Sequence, residues 1–95
     1  MSETVITTSV RVTNEVGLHA RPSVKLTQLA KRFAANVTVA VDPGGPWIDA
    51  KSPVKIMRVR VPRGAQLYVR GEGDDAAAAV DAVVALVESR FGEHA

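Results

Sequence analysis

From Val5 to Thr13 β-branched residues recur with polar ones interleaved, and Asn14-Glu15 closes the run. That pattern predicts a strand with one buried face. Gly17 breaks it. Val24, Leu26, Leu29, Ala30 and Phe33 then fall close to helical spacing, with Lys25, Gln28, Lys31 and Arg32 between them. An amphipathic helix of about thirteen residues from near Ala20 is predicted. Pro22 marks its start, because a first-turn residue has no intrahelical acceptor for an N–H and proline lacks one.

Asn36 to Val41 alternates cleanly and predicts a second strand, closed by the turn-forming run Asp42-Pro43-Gly44-Gly45-Pro46. Trp47-Ile48-Asp49 is a short third strand paired with the second as a hairpin. Ser52 at an N-cap with Pro53 at the first helical position predicts a short helix over Pro53 to Arg58. Pro62 and Gly64 separate it from a fourth strand, Gln66 to Arg70, which Gly71-Glu72-Gly73 ends. Asp74 is the expected N-cap of the Ala-rich run from Asp75 to Arg90, whose acids come early and whose base comes late. Ala77, Val80, Val84 and Val87 trace its expected buried stripe, widened by Val83 and Leu86.

The order is β-α-β-β-α-β-α. A short central hairpin leaves no room for three parallel crossovers. The α+β solution is two layers, a four-stranded and mostly antiparallel sheet covered on one face by helices. Ninety-five residues, 46% apolar and 23% charged, suit one domain over residues 1–95 with a single shared core. The absence of cysteine excludes disulfide frameworks and thiolate metal sites. No apolar run approaches the ~20 residues that span a bilayer, and the start Met-Ser-Glu-Thr carries no secretory pattern. A cytoplasmic protein without membrane insertion is expected. Catalytic triads and dinucleotide folds need more chain than this.

The net charge of +2 conceals a strong asymmetry. From Lys51 to Arg70 there are six basic side chains (Lys51, Lys55, Arg58, Arg60, Arg63, Arg70) and no acid; from Gly71 onward six acids face Arg90 alone.

The chemistry concentrates in Gly17-Leu18-His19-Ala20-Arg21-Pro22. His19 lies between a chain-breaking glycine and the first turn of a helix, where free N–H groups and the helix dipole favour an anion. The N–H groups of Ala20 and Arg21 remain available to an oxyanion, and Arg21 adds a guanidinium suited to bidentate phosphate binding. An imidazole attacking a phosphoryl donor forms a phosphoramidate, which passes the group on readily. A metal site would want further ligands and is opposed by Arg21, so no metal and no cofactor are expected. A histidine before a helix is by itself most often a loop or capping residue. The coincidence of Gly17, His19, Arg21 and Pro22 in one hexapeptide outweighs that reading.

This hexapeptide resembles the active-site signature of the histidine-containing phosphocarrier (HPr) family of the phosphoenolpyruvate-dependent phosphotransferase system. Asn14 fits the family pattern too, and the likeness runs from about Val5 to Phe91. The resemblance implies an open-faced, two-layer β-sandwich with three helices on one face of a four-stranded sheet. It implies that His19 is phosphorylated at Nδ1 by Enzyme I, with phosphoenolpyruvate as ultimate donor, and passes the group to an Enzyme IIA-type acceptor. Arg21 is then the residue that pairs with the phosphate. The carrier is charged and discharged by other enzymes and is not itself a free-standing catalyst. A monomer is expected.

The family also carries a regulatory serine in a Lys-Ser pair at the start of its middle helix, phosphorylated in many bacteria by an ATP-dependent HPr kinase/phosphorylase. Lys51-Ser52 matches it, as does the spacing to Gly64-Ala65. Ser52 as a plain N-cap, worth about 1 kcal/mol, is compatible with that role. Two departures stand beside the match: Pro53 follows the serine directly, and Lys55 stands where the family has glycine. Val54, Lys55, Met57 and Arg58 form the expected docking surface, more cationic than in sugar-transport relatives, which points toward partners with an acidic face and a nitrogen-type, regulatory branch.

Other readings carry less. A basic αβ domain could bind nucleic acid, but the basic stretch holds one aromatic, Tyr68, and its arginines are not expected to share a face. A pure docking module would have no need of His19 and Arg21. Ser23 is near enough to touch a phosphate on His19, or else satisfies local backbone. Trp47 reads as a sheet-packing residue and His94 as solvent-exposed in a frayed terminus.

Overall fold

The computed structural model describes residues 4–14 and 17–92. The elements are β1 (Val5–Arg11), α1 (Ala20–Ala30), β2 (Asn36–Ala40), β3 (Ile48–Asp49), α2 (Pro53–Val59), β4 (Gln66–Glu72) and α3 (Ala76–Glu88), followed by a single 3₁₀ turn at Arg90–Gly92. The expected order is reproduced. The four strands form one antiparallel sheet in the order β1-β4-β2-β3. β4 therefore lies between β1 and β2, with Thr7 and Thr38 both opposite Arg70.

Period-two burial sorts the sheet residues. Leu67, Val69 and Gly71 of β4 are buried beneath the helices with Val10, Val37 and Val39, while Gln66, Tyr68, Arg70 and Glu72 alternate onto the other face. α3 lies on β1 and β4, and α1 packs against α2 and α3. The core is small and largely branched-chain: Leu26, Ile56, Leu67, Val80, Val83, Val87 and Phe91 are almost wholly buried.

Several local expectations are corrected. β4 does not stop at Arg70 but runs through Gly71 to Glu72. Gly71 is there because α3 lies close: a Cβ would come within 2.9 Å of Val80 Cγ2 and 3.0 Å of the Ala76 carbonyl oxygen. The buried stripe of α3 is Ala76, Ala79, Val80, Val83 and Val87, so Ala77 is exposed and Val84 only half-buried. α1 is shorter than expected and buries Pro22, Ser23, Leu26, Thr27 and Ala30, leaving Val24 42% exposed. α3 ends at Glu88, before Arg90. Arg90 and Phe91 take left-handed backbone angles (φ 58° and 57°) that turn the Phe91 ring into the core, and Lys25 Nζ donates to the Phe91 carbonyl.

The N-cap of α3 is Asp75, not Asp74, and its side chain makes no bond to its own helix. Its carboxylate instead accepts from the backbone N–H of Ala34 (2.9 Å) and Ala35 (2.7 Å), tying the end of the α1–β2 connection to α3. Lys51 Nζ reinforces that connection by donating to the Phe33 carbonyl at 2.9 Å. The Ala34 N–H is the largest influence on Asp75; desolvation opposes it, the Ala35 N–H and the Lys51 charge assist, and the carboxyl is held below its ordinary range. A lowered native value contributes stability above the unfolded-state pKa and loses it as pH falls through the folded one. Asp75→Asn is accordingly expected to lower the thermal midpoint at pH 7, and the gap from the parent should close on acidification below the ordinary aspartate range. A gap constant between pH 7 and pH 2.5 would show that the carboxylate charge is not the cause.

Candidate functional site

The site begins where the chain leaves β1. Val12 exchanges backbone bonds with the β4 approach, its N–H donating to the Ala65 carbonyl (2.9 Å) and its carbonyl accepting from Gly64 N–H (2.7 Å). Asn14 is fully buried and its amide donates to the Gly17 carbonyl at 2.7 Å, while Gly17 N–H donates back to the Asn14 carbonyl. Gly17 has φ +64°, a left-handed angle that turns the chain toward α1. Leu18 is buried, and its N–H donates to the Val61 carbonyl at 2.8 Å. The residue before His19 is thereby pinned to the segment after α2, more than forty residues on.

His19 is the N-cap of α1, with extended backbone angles and an exposed side chain that makes no capping bond. Its carbonyl accepts the first helical bond, from Ser23 N–H at 3.0 Å. The N–H groups of Ala20 and Arg21 precede any intrahelical acceptor, and among the described residues neither donates elsewhere. Ala20 and Arg21 are both exposed, and Pro22 is buried behind them. α1 has no acidic side chain in its first turn, so nothing there competes with an incoming anion. Among the described residues no group of three or more metal-ligating side chains occurs.

The two readings weighed for Ser23 separate cleanly. The side chain is fully buried, and its hydroxyl donates to the Leu18 carbonyl at 3.0 Å. In this structure it serves the local backbone.

His19 and Ala20 form one wall of a cleft of about 420 Å³, together with Leu18, Met57, Arg60, Val61 and Pro62. Of the expected docking residues, Met57 lines this cleft, while Val54, Lys55 and Arg58 are exposed on α2 outside its lining. Val54 is 54% exposed and Met57 38%, and Ile56 between them is buried, so α2 presents an apolar and cationic outer face over an anchored inner one. Ser52 caps α2, its hydroxyl accepting from Lys55 N–H at 3.4 Å. The sequence counts Arg60 with Lys55 and Arg58 among the cations of the α2 docking surface but does not place it beside His19, and it does not single out Val61 and Pro62. The segment is brought beside His19 by the Leu18–Val61 bond and by the close approach of Gly17 to the Val61 and Pro62 backbone, long-range contacts that leave no local signal.

The basic stretch does not form one surface. Arg70 lies on the sheet face away from the helices, its guanidinium stacked on the Trp47 ring at 4.1 Å. Lys51 is turned into the Phe33 carbonyl. Trp47 lies just before β3, which begins at Ile48 and not at Trp47 as expected, and works as a platform for Arg70. His94 lies outside the described residues.

Residues 6–89 match the family model described as PTS HPr component phosphorylation site. A phosphocarrier protein HPr of Cupriavidus necator is 40% identical over 82 residues, spanning 86% of this chain and 90% of that one. A phosphocarrier protein NPr of Shewanella violacea is 37% identical over 84 residues, 88% of this chain and 90% of that one. The crystal structure of HPr-C-His from Thermoanaerobacter tengcongensis superposes with a TM-score of 0.86 at 34% identity, covering 95% of this chain and 99% of that one. The chain belongs to the HPr family, the phosphocarrier proteins of the phosphotransferase system. HPr and NPr relatives match at similar identity. Among the described residues no helix is long and apolar enough to cross a membrane.

Proposed function

We propose that this protein carries a phosphoryl group on His19 Nδ1, taken from phosphorylated Enzyme I and handed to an Enzyme IIA-type acceptor in the cytoplasm, with the chain acting as a monomer. The observation that carries this reading is the position of the imidazole: exposed, uncommitted to capping, and adjoining two first-turn N–H groups with no acceptor. In the loading step the Nδ1 lone pair attacks phosphorus while the P–N bond of the donor phosphohistidine breaks and returns its electron pair to the donor nitrogen. Each imidazole keeps the proton on its other nitrogen, so no proton changes hands. The Ala20 and Arg21 amides and the Arg21 guanidinium take the charge on the phosphoryl oxygens. The cleft beside His19 and the outer face of α2 (Val54, Lys55, Met57, Arg58) meet the partners, and phosphate on Ser52 would add negative charge to that face.

Incubation with phosphoenolpyruvate and Enzyme I is expected to give one phosphoryl adduct per chain, labile in acid and stable in base, mapped by mass spectrometry to His19. A parallel incubation with ATP and an HPr kinase/phosphorylase should label Ser52 with an acid-stable ester. An adduct on any residue other than His19 in the first reaction would overturn the carrier assignment; an unlabelled Ser52 in the second would remove only the regulatory one.

A further inference from the structure

Arg60 closes α2 with φ 56° and ψ 72°, a left-handed C-cap. Glycine is the residue that takes this conformation without strain, and arginine takes it at a cost. Among the described residues two other non-glycine positions have positive φ, Arg90 and Phe91, and there the outcome is visible: the turn drives the Phe91 ring into the core. At Arg60 no such packing is gained, since the residue is exposed. What the conformation does achieve is placement, because Arg60 lines the same cleft as His19. The next residue, Val61, accepts the Leu18 N–H at 2.8 Å and lies directly under Gly17. No acid pairs with the guanidinium among the described residues.

A helix-dipole role does not explain this arrangement. Arg58 already supplies a cation to the last turn of α2, and a dipole contact requires neither a left-handed residue nor a position lining the cleft. Backbone strain retained at such a position marks a site where the side chain is used.

We propose that Arg60 is a second phosphate-binding guanidinium, which contacts the phosphoryl group while it passes between His19 Nδ1 and the partner's imidazole. This rests on the phosphocarrier reading above and deepens it. In transit the P–N bond to one imidazole lengthens as the other forms, no proton is exchanged, and negative charge spreads over three equatorial oxygens. Arg21 and the α1 amides approach from the helix side of His19; Arg60 approaches across the cleft from the end of α2. A planar fork fits phosphate oxygens bidentately, which a single ammonium does not.

The test is rapid-quench transfer from phosphorylated Enzyme I to the parent, Arg60→Gly, Arg60→Asn and Arg60→Lys, with the maximal rate separated from the half-saturating concentration. Gly and Asn both suit the left-handed cap, so both variants should fold with an equal or higher thermal midpoint. Each is expected to lose about tenfold in maximal rate, at the lower end of the effect of removing one donor to a developing oxyanion. Lys should restore part of it. A maximal rate within twofold of the parent in both Gly and Asn variants, or a change confined to the half-saturating concentration, would overturn the proposal. Failure of the parent itself to become labelled would overturn the carrier reading and this one together, so the two failures are distinct.

Discussion

His19→Ala is expected to reduce phosphoryl loading to background while leaving the fold unchanged. The separation of effects follows from geometry. The imidazole is exposed, makes no capping bond and is absent from the core, so its removal withdraws no buried contact. Exposed substitutions of this kind stay within about 0.5 kcal/mol of the parent. The backbone carbonyl of residue 19, which accepts the Ser23 N–H at 3.0 Å, is retained by alanine, and so is the first turn of α1. Loading, by contrast, loses the one imidazole among the described residues. The Ser23 hydroxyl, nearest in sequence, is buried and committed to the Leu18 carbonyl. Loss of the acid-labile adduct with a superimposable urea unfolding curve is the expected pair of measurements. Residual loading above a few per cent would mean that another group accepts the phosphoryl. A large drop in unfolding midpoint would mean that His19 has a structural partner.

What the sequence made legible was whatever is decided within about one turn of chain. Alternation at Val37, Thr38 and Val39 named β2, Ser52-Pro53 named the start of α2, and Gly17 through Pro22 named the turn into α1 with its open first-turn N–H groups, each by nearest-neighbour stereochemistry. What it hid was decided by contact across the fold. Asp75 looks like an ordinary helix cap, but the end of the α1–β2 connection brings two unsatisfied N–H groups to it and they win the carboxylate. Gly71 looks like a strand terminator, but the close approach of α3 is the reason for its missing side chain. The stripe of α3 keeps the expected Val80, Val83 and Val87 but takes Ala76 and Ala79 in place of Ala77, a choice that four consecutive alanines cannot report and that the contact of α3 with β1 and β4 makes. Arg60 belongs to the same class. Its role depends on a hydrogen bond between Leu18 and Val61, and no pattern within α2 reports that bond.

Gly17→Ala is the substitution expected to damage fold and site together, and its cost can be separated into two parts. The first is conformational: at φ +64° a Cβ meets the following carbonyl, which costs roughly 1–2 kcal/mol. The second is collision. The added methyl would lie 2.3 Å from the Val61 carbonyl oxygen and 3.0 Å from two Pro62 backbone atoms, none of which can rotate aside as a side-chain end could. Relief requires the segment after α2 to withdraw, and that breaks the 2.8 Å bond from Leu18 N–H to Val61. A lost buried hydrogen bond adds about 1 kcal/mol, for a total of about 2–3 kcal/mol. Gly64→Ala is the internal control, since its φ is +90° but a Cβ there meets nothing within 4 Å. It should show the conformational part alone. Urea unfolding of the two variants should therefore place Gly17→Ala well below Gly64→Ala. Loading should fall in the former even at temperatures where it is folded, because Arg60 and Val61 no longer hold their place beside His19. Equal destabilisation of the two variants, or a folded Gly17→Ala protein loaded at the parent's rate, would show that the contact between Gly17 and the end of α2 does not set the geometry of the site.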